Sequence, residues 1–324
     1  KAGGVLGRKI ELIVKDSGAS SEKAISFAKQ LVEENEVVAI IGPTTSGESM
    51  AIKDYMDKAK IPLISCAAAE TIVNPVLKYV FKTPQKDSYV VTWAFQTMQK
   101  MGIKKLAVLS AATGFGNGGK ANLEKMAPDF GITVVLSEQY AADATDLSAL
   151  ITKVKASGAD ALVNWSIEPA QSIVAKNLRQ QGLTIPLFQS HGFGNIKYVQ
   201  AAGAAAEGII FPCGRLLVAD ALPDSDPQKK LLQKYMSDYE TTYKEDVSTF
   251  GGHAYDALTI LVAAMTAAKS ADPTKIAEAI PKLKNLPGTA GIFNFTDADH
   301  NGLAMDSISM LTVKNGQFAF YTGK

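Results

Sequence analysis

Short β-branched runs alternate with amphipathic segments along most of this chain, and that alternation limits the fold more than any other feature. A strand followed by a helix and then by another strand is a βα unit, and a series of such units builds a parallel sheet covered by helices. Lys9 to Lys15 reads as the first strand. Ser21 can cap the helix that follows, in which Ala24, Ala28, Leu31 and Val32 share one face. Val37 to Ile41 and Pro62 to Ser65 read as strands with a helix to about Ala59 between them. The rhythm pauses across Tyr79 to Asp87, where a domain crossing is expected. It resumes with a helix from Tyr89 to Lys100 and a strand from Lys105 to Ser110. Further strands are expected at Thr133 to Ser137, Ala161 to Trp165, Pro186 to Gln189 and Gly208 to Pro212. Two long helices follow, about Pro227 to Lys244 and Thr249 to Lys269, with Tyr255, Leu258, Leu261, Val262 and Met265 on one face of the second. The tail from Gly291 is strand-rich, with turns at Asp297 to Gly302 and at Asn315-Gly316.

Composition narrows the function. The 324 residues, 47% of them apolar, can fill two domain cores. Thirty-three Lys and Arg against 32 Asp and Glu leave a net charge of +1 and no basic block, so a nucleic-acid partner is not expected. The longest apolar run, Ala257 to Ala268, is shorter than the ~20 residues of a membrane span. Cys66 and Cys213 have no metal-ligand spacing and are expected to remain unbonded to each other.

Three loops deserve chemical readings. Gly114-Phe115-Gly116-Asn117-Gly118-Gly119 fits G-x-G-x-x-G after a strand, with Glu138 at the end of the next strand, about where a ribose-binding acid belongs. This allows a dinucleotide-dependent enzyme. Against it, the motif lies in mid-chain with no acid, base or nucleophile cluster, so a Gly-rich βα loop at a cleft is the preferred reading. Thr44, Thr45, Ser46 and Ser49 bring hydroxyls and free N–H groups to a helix N-terminus, which suits a carboxylate, although simple capping by Ser46 explains them equally well. Cys66 to Thr71, with Ala67, Ala68 and Ala69, is small enough for backbone to approach a ligand. Of the three histidines, His191 follows a strand end and suits a pocket. His300 sits in a polar turn and is expected at the surface or stabilising that turn. No pair has metal-binding spacing, and neither a metal nor a cofactor is expected.

Ala2-Gly3-Gly4-Val5-Leu6-Gly7-Arg8-Lys9-Ile10-Glu11-Leu12, Ile41-Gly42-Pro43, Ile61-Pro62-Leu63-Ile64-Ser65 and Gly252-His253-Ala254-Tyr255-Asp256-Ala257-Leu258 resemble, in order, the leucine/isoleucine/valine-binding family of periplasmic proteins. The resemblance implies an α/β fold with two Rossmann-like lobes joined by three crossovers and ligand held in the cleft between them, one strand and one helix of that family being absent before Lys1. By this analogy the first lobe is residues 1–86 plus 214–296 and the second 87–213 plus 297–324. The family's carboxylate-binding serine falls on Ser46, and the small residue whose backbone holds ligand falls on Ala67. Its carboxylate-binding threonine falls on Ala69, its cleft tyrosines on Phe115 and Ile167, and its ammonium-pairing acid on His191. Thr45, Ala68, Gly192 and Phe250 are expected beside them.

The resemblance therefore implies a solute-binding protein of an ABC importer, not an enzyme, with a membrane permease as partner. It is expected to be a monomer, periplasmic or lipid-anchored outside the cytoplasm. With His191 in place of an acid, a small organic carboxylate, aromatic or aliphatic, is favoured over a branched-chain amino acid, for which Glu70, Glu168 or Asp256 could supply the ammonium partner. A ligand-sensing receptor domain would share the fold.

Overall fold

The computed structural model describes residues 3–323. In chain order the helices and strands are α1 (Ser21–Glu33), β1 (Ile40–Ile41), α2 (Ser46–Ala59), β2 (Leu63–Ser65), β3 (Val80–Lys82), α3 (Asp87–Lys100), β4 (Lys105–Ala111), α4 (Gly114–Met126), β5 (Thr133–Tyr140), α5 (Ser148–Ala156), β6 (Ala161–Trp165), α6 (Ala170–Gln180) and β7 (Leu187–Gln189). They continue as α7 (Ile196–Ala202), β8 (Ile210–Cys213), α8 (Lys229–Tyr243), α9 (Thr249–Ala268), α10 (Pro273–Ala279), β9 (Leu286–Pro287), β10 (Ile292–Phe293), β11 (Ser309–Lys314) and β12 (Gln317–Phe320). The chain divides into two compact units, Lys1–Lys86 with Phe250–Ala304 and Asp87–Thr249 with Met305–Lys324, and so passes from one to the other three times.

In the first unit, β1, β2 and β3 form a parallel sheet in that order. All three residues of β2 and of β3 are buried, as expected where helices or loops cover both faces. Ala24, Ala28 and Leu31 of α1 bury with Ile52 and Met56 of α2, the i, i+4 stripe read from sequence. The cap of α1 is Ser20, whose hydroxyl accepts from Lys23 N, one residue before the expected Ser21. In α9 the buried stripe is Ala257, Ile260, Leu261, Ala264 and Met265. Tyr255 and Leu258 lie outside it and are exposed, so the buried face is rotated by part of a turn from the one the sequence period suggests.

Lys9–Lys15 is not a strand. It makes no backbone pairing with the described residues, and Leu12 and Val14 are about three-quarters exposed. A β-branched run becomes a strand only where a neighbouring edge accepts its ladder.

The second unit holds a seven-stranded sheet of order β12-β11-β8-β7-β6-β4-β5, parallel from β8 to β5, with β11 antiparallel to both β8 and β12. Asn315-Gly316, both at positive φ, turn β11 into β12, the backbone that a two-residue hairpin requires. The strand order reverses around β4, with β5 on one side and β6 on the other. Loops at the carboxyl ends of strands at such a reversal form a crevice suited to ligands.

The unit boundaries differ from the expected lobes at two of the three crossings. Residues 214–249 belong to the second unit because Leu216, Ala219, Leu222, Leu232, Tyr235 and Val247 share a core with Phe320 of β12, and Arg215 binds Asp226 and the Asp306 carbonyl. Residues 297–304 belong to the first. There Leu303 joins the core around α9, His300 stacks on Phe81, and Asn301 donates to the Pro84 carbonyl. His300 is therefore buried, its Nδ1 2.8 Å from the Val80 carbonyl, and not at the surface.

Candidate functional site

In the first unit, the loops after β1 and β2 lie at the carboxyl ends of adjacent parallel strands. The cap of α2 is Thr45, not Ser46. Its Oγ1 accepts from Glu48 N at 3.4 Å and donates to Glu48 Oε2 at 2.5 Å, and Ser17 Oγ donates to the same carboxylate. The Thr-x-x-Glu spacing brings the two side chains together as in a capping box, with Glu48 taking the hydroxyl proton rather than the Thr45 N–H, and the contact occupies the Thr45 hydroxyl. Ser46 is thereby released from capping. Its Oγ accepts from Ala69 N at 3.2 Å, which joins the two loops and leaves the hydroxyl proton available.

Beneath them Ser49 and Ser65 hydroxyls meet at 2.7 Å, Ala67 N donates to Ser65 Oγ at 3.1 Å, and Cys66 N donates to the Pro43 carbonyl. The N–H groups of Ser46, Gly47 and Ala68 donate to no partner among the described residues. Ala67 and Ala69 are buried, while Ala68 and Phe250, the latter in the first turn of α9, are partly exposed.

Asp256 and His253 sit deeper in this unit on α9. Asp256 accepts from Thr289 N at 2.6 Å, Thr289 Oγ1 at 3.0 Å and Ala290 N at 2.8 Å. Burial pushes its carboxyl up to about 7, against the pull of those three donors. It clamps the 288–290 turn and is not available to an ammonium group. Burial, helped by the charge of Lys82, pushes His253 down to about 3, so it is neutral. Cys66 and Cys213 are free, and burial pushes each thiol up to about 12.

In the second unit the structure brings together Phe115, Ile167, His191 and Gly192. Phe115 opens α4 after β4, Ile167 follows β6 and His191 follows β7, so the three come from loops at the strand reversal. The Phe115 and His191 rings meet edge to face at 5.4 Å. A Cβ on Gly192 would lie 2.6 Å from Ile167 Cγ2, 2.7 Å from the Ser166 carbonyl and 3.1 Å from Phe115 Cε1. Only glycine permits that approach.

Sequence reasoning missed Trp165, whose ring lies 5.6 Å from Phe115 and 5.8 Å from His191. Its position as the last residue of a parallel strand was the available signal. Asp87 was also missed: its Oδ1 is 3.8 Å from His191 Nε2, with neither side chain more than 5% exposed. Glu168 is turned into its own loop, accepting from Ser166 Oγ at 2.6 Å and Ile167 N at 3.0 Å.

The glycine motif is accounted for by packing. Thr113 caps α4 by accepting from Gly116 N. A Cβ on Gly116 would overlap the Ala111 carbonyl, and one on Gly119 would overlap the Trp165 indole. Glu138, the ribose acid of the dinucleotide alternative, accepts from Lys153 Nζ at 2.7 Å. Among the described residues no group of His, Cys, Asp and Glu could hold a metal, and no helix is long and apolar enough to cross a membrane.

The sequence profile of the periplasmic binding protein family matches residues 1–317. Among curated relatives, the leucine-, isoleucine-, valine-, threonine- and alanine-binding protein of Pseudomonas aeruginosa is 27% identical over 282 residues, spanning 86% of this chain and 73% of its own length. Among solved structures, an extracellular ligand-binding receptor from Rhodopseudomonas palustris HaA2 superposes with a TM-score of 0.94 at 26% identity, covering 98% of this chain and 91% of its own. The substrate-binding protein LivJ of Streptococcus pneumoniae, solved with isoleucine, gives a TM-score of 0.83 at 27% identity over 98% of this chain and 88% of its own. Members of this group bind solutes rather than transform them, and their fold is the α/β type I periplasmic binding fold. The chain belongs to the periplasmic binding protein family.

Proposed function

We propose that this protein is the extracytoplasmic solute-binding component of an ABC importer, and that its ligand is a small organic carboxylate without an α-amino group, of the benzoate type. The observation that carries the ligand class is the cluster of Phe115, Trp165 and His191, an aromatic wall with an imidazole where an amino-acid site would need a carboxylate. A buried ammonium without an anionic partner is poorly compensated. Glu168 and Asp256 are each committed to hydrogen bonds elsewhere, and the Asp87 carboxylate faces His191.

The carboxylate half is supported by the Ser46 hydroxyl with the N–H groups of Ser46 and Gly47 at the start of α2, where the helix dipole favours an anion. The N–H of Ala68, in the loop from Ala67 to Ala69, adds a donor. Thr45 serves by holding that helix start. We assign Phe250 to the first set, and Ile167 and Gly192 to the second. The partner is a membrane permease. The protein acts as a monomer, in a periplasm or tethered by lipid at the outer membrane face.

A second reading is favoured by relatives whose names specify branched-chain amino acids. A thermal-shift screen of benzoate-type acids against leucine, isoleucine and valine separates the two. A ligand at 100 times its Kd adds about 2.7 kcal/mol of stability. Stabilisation by the acids supports the proposal, and stabilisation by the amino acids alone replaces it.

A further inference from the structure

His191 and Asp87 form a buried pair in the second unit, with Nε2 and Oδ1 3.8 Å apart. The histidine is held from both sides of its peptide. Ser190 Oγ accepts from Gly192 N at 3.2 Å and donates to the Ser166 carbonyl at 3.1 Å, while the His191 carbonyl accepts from Gly194 N. The ring is walled by Phe115 at 5.4 Å and Trp165 at 5.8 Å, both near-perpendicular. Asp87 is the first residue of α3, where the helix dipole stabilises a carboxylate.

Burial alone disfavours an imidazolium. One feature opposes it here: a carboxylate within ion-pair distance. We propose that Asp87 is a positioning residue that holds His191 as an imidazolium, so that the second unit offers a cation to an anionic ligand and binding is linked to a proton on His191. The link to ligand rests on the function proposed above, while the pairing of Asp87 with His191 does not.

Other titratable groups on the elements packed around His191 do not compete for the role. Cys213 of β8 donates through Sγ to the His191 carbonyl and stays a neutral thiol, pushed up to about 12 by burial. Tyr198 of α7 donates to the Ile167 carbonyl and is likewise pushed up to about 12. Glu168 is the acidic residue of the loop against Gly192, and its carboxyl group accepts from Ser166 and Ile167. Asp87 faces the ring with its carboxylate.

The test is an NMR titration of histidine-labelled, ligand-free protein, with His191→Gln assigning the His191 signal among the three histidines. In the wild type, His191 should titrate above the ordinary ~6.5, and in Asp87→Asn its pKa should fall by about one unit or more. A wild-type value below ~6.5, which needs no variant to fold, overturns the pairing. So does an unchanged or higher value in Asp87→Asn. Asp87→Glu, which keeps the charge, should keep the raised value. Benzoate affinity measured by calorimetry from pH 5 to 9 then tests the link to ligand. It should weaken about tenfold per pH unit above the His191 pKa, and the inflection should move to lower pH in Asp87→Asn. A raised His191 pKa combined with no benzoate binding upholds the Asp87–His191 pairing and overturns the ligand class.

Discussion

Removing the Asp256 side chain tests how the first unit holds its 288–290 turn. In Asp256→Ala the buried N–H groups of Thr289 and Ala290 and the Thr289 hydroxyl lose their acceptor. A buried donor left unsatisfied costs about 1–3 kcal/mol, so two backbone N–H groups set a loss of roughly 2–5 kcal/mol after local relaxation. At ~2–4 °C per kcal/mol for a chain portion of this size, the melting transition should fall by roughly 4–20 °C.

The pH dependence has a definite sign. The folded carboxyl, raised by burial from 3.8 to about 7, binds its proton more tightly than in the unfolded chain. Its contribution is therefore complete below pH ~4 and is lost as pH rises through about 7, by an amount on the order of 4 kcal/mol at most. Asp256→Asn cannot titrate. The melting-temperature advantage of the wild type over Asp256→Asn, followed by differential scanning calorimetry, should be largest near pH 4 and shrink toward pH 8. An advantage that grows with pH would mean that the three donors keep the group ionised, and would refute the reasoning. A shift below 1 °C in Asp256→Ala would refute the clamp itself.

Gly119→Ala drives a methyl group into the Trp165 indole. It should destabilise the second unit by about 1–3 kcal/mol and change the fluorescence of one of only two tryptophans, readable in a urea melt. Ser46→Ala removes both the Ala69 acceptor and a donor to the ligand, and should weaken carboxylate binding by roughly 1.5–3 kcal/mol, tenfold or more by calorimetry. His191→Glu places a carboxylate beside an anionic ligand, so benzoate affinity should drop while affinity for leucine rises. Thiol titration of unfolded, unreduced monomer should find two free thiols, and none would contradict the structure.

Much of the fold was legible because its causes are local. The stripe Ala24, Ala28 and Leu31, the strand Ala161–Trp165 and the Asn315-Gly316 turn all follow from side-chain period or backbone preference. What escaped depends on contacts between distant residues. Phe320, far along the chain, holds residues 214–249 in the second unit, and no local signal announces it. Lys9–Lys15 has the residues of a strand but no neighbouring ladder. The glycine motif was visible, yet its meaning lies in the Ala111 carbonyl and the Trp165 indole against which two of its glycines pack. Within the candidate site, loop membership of Phe115, Ile167, His191 and Gly192 could be read from strand ends. Asp87 could not, because its approach to His191 spans more than a hundred residues.

Isothermal titration of the wild-type protein with benzoate and, separately, with leucine is the most direct test of the central claim. The account predicts saturable one-to-one binding of benzoate that outcompetes leucine and weakens as pH rises above the His191 pKa. Tight leucine binding with no heat from benzoate or related acids would contradict it.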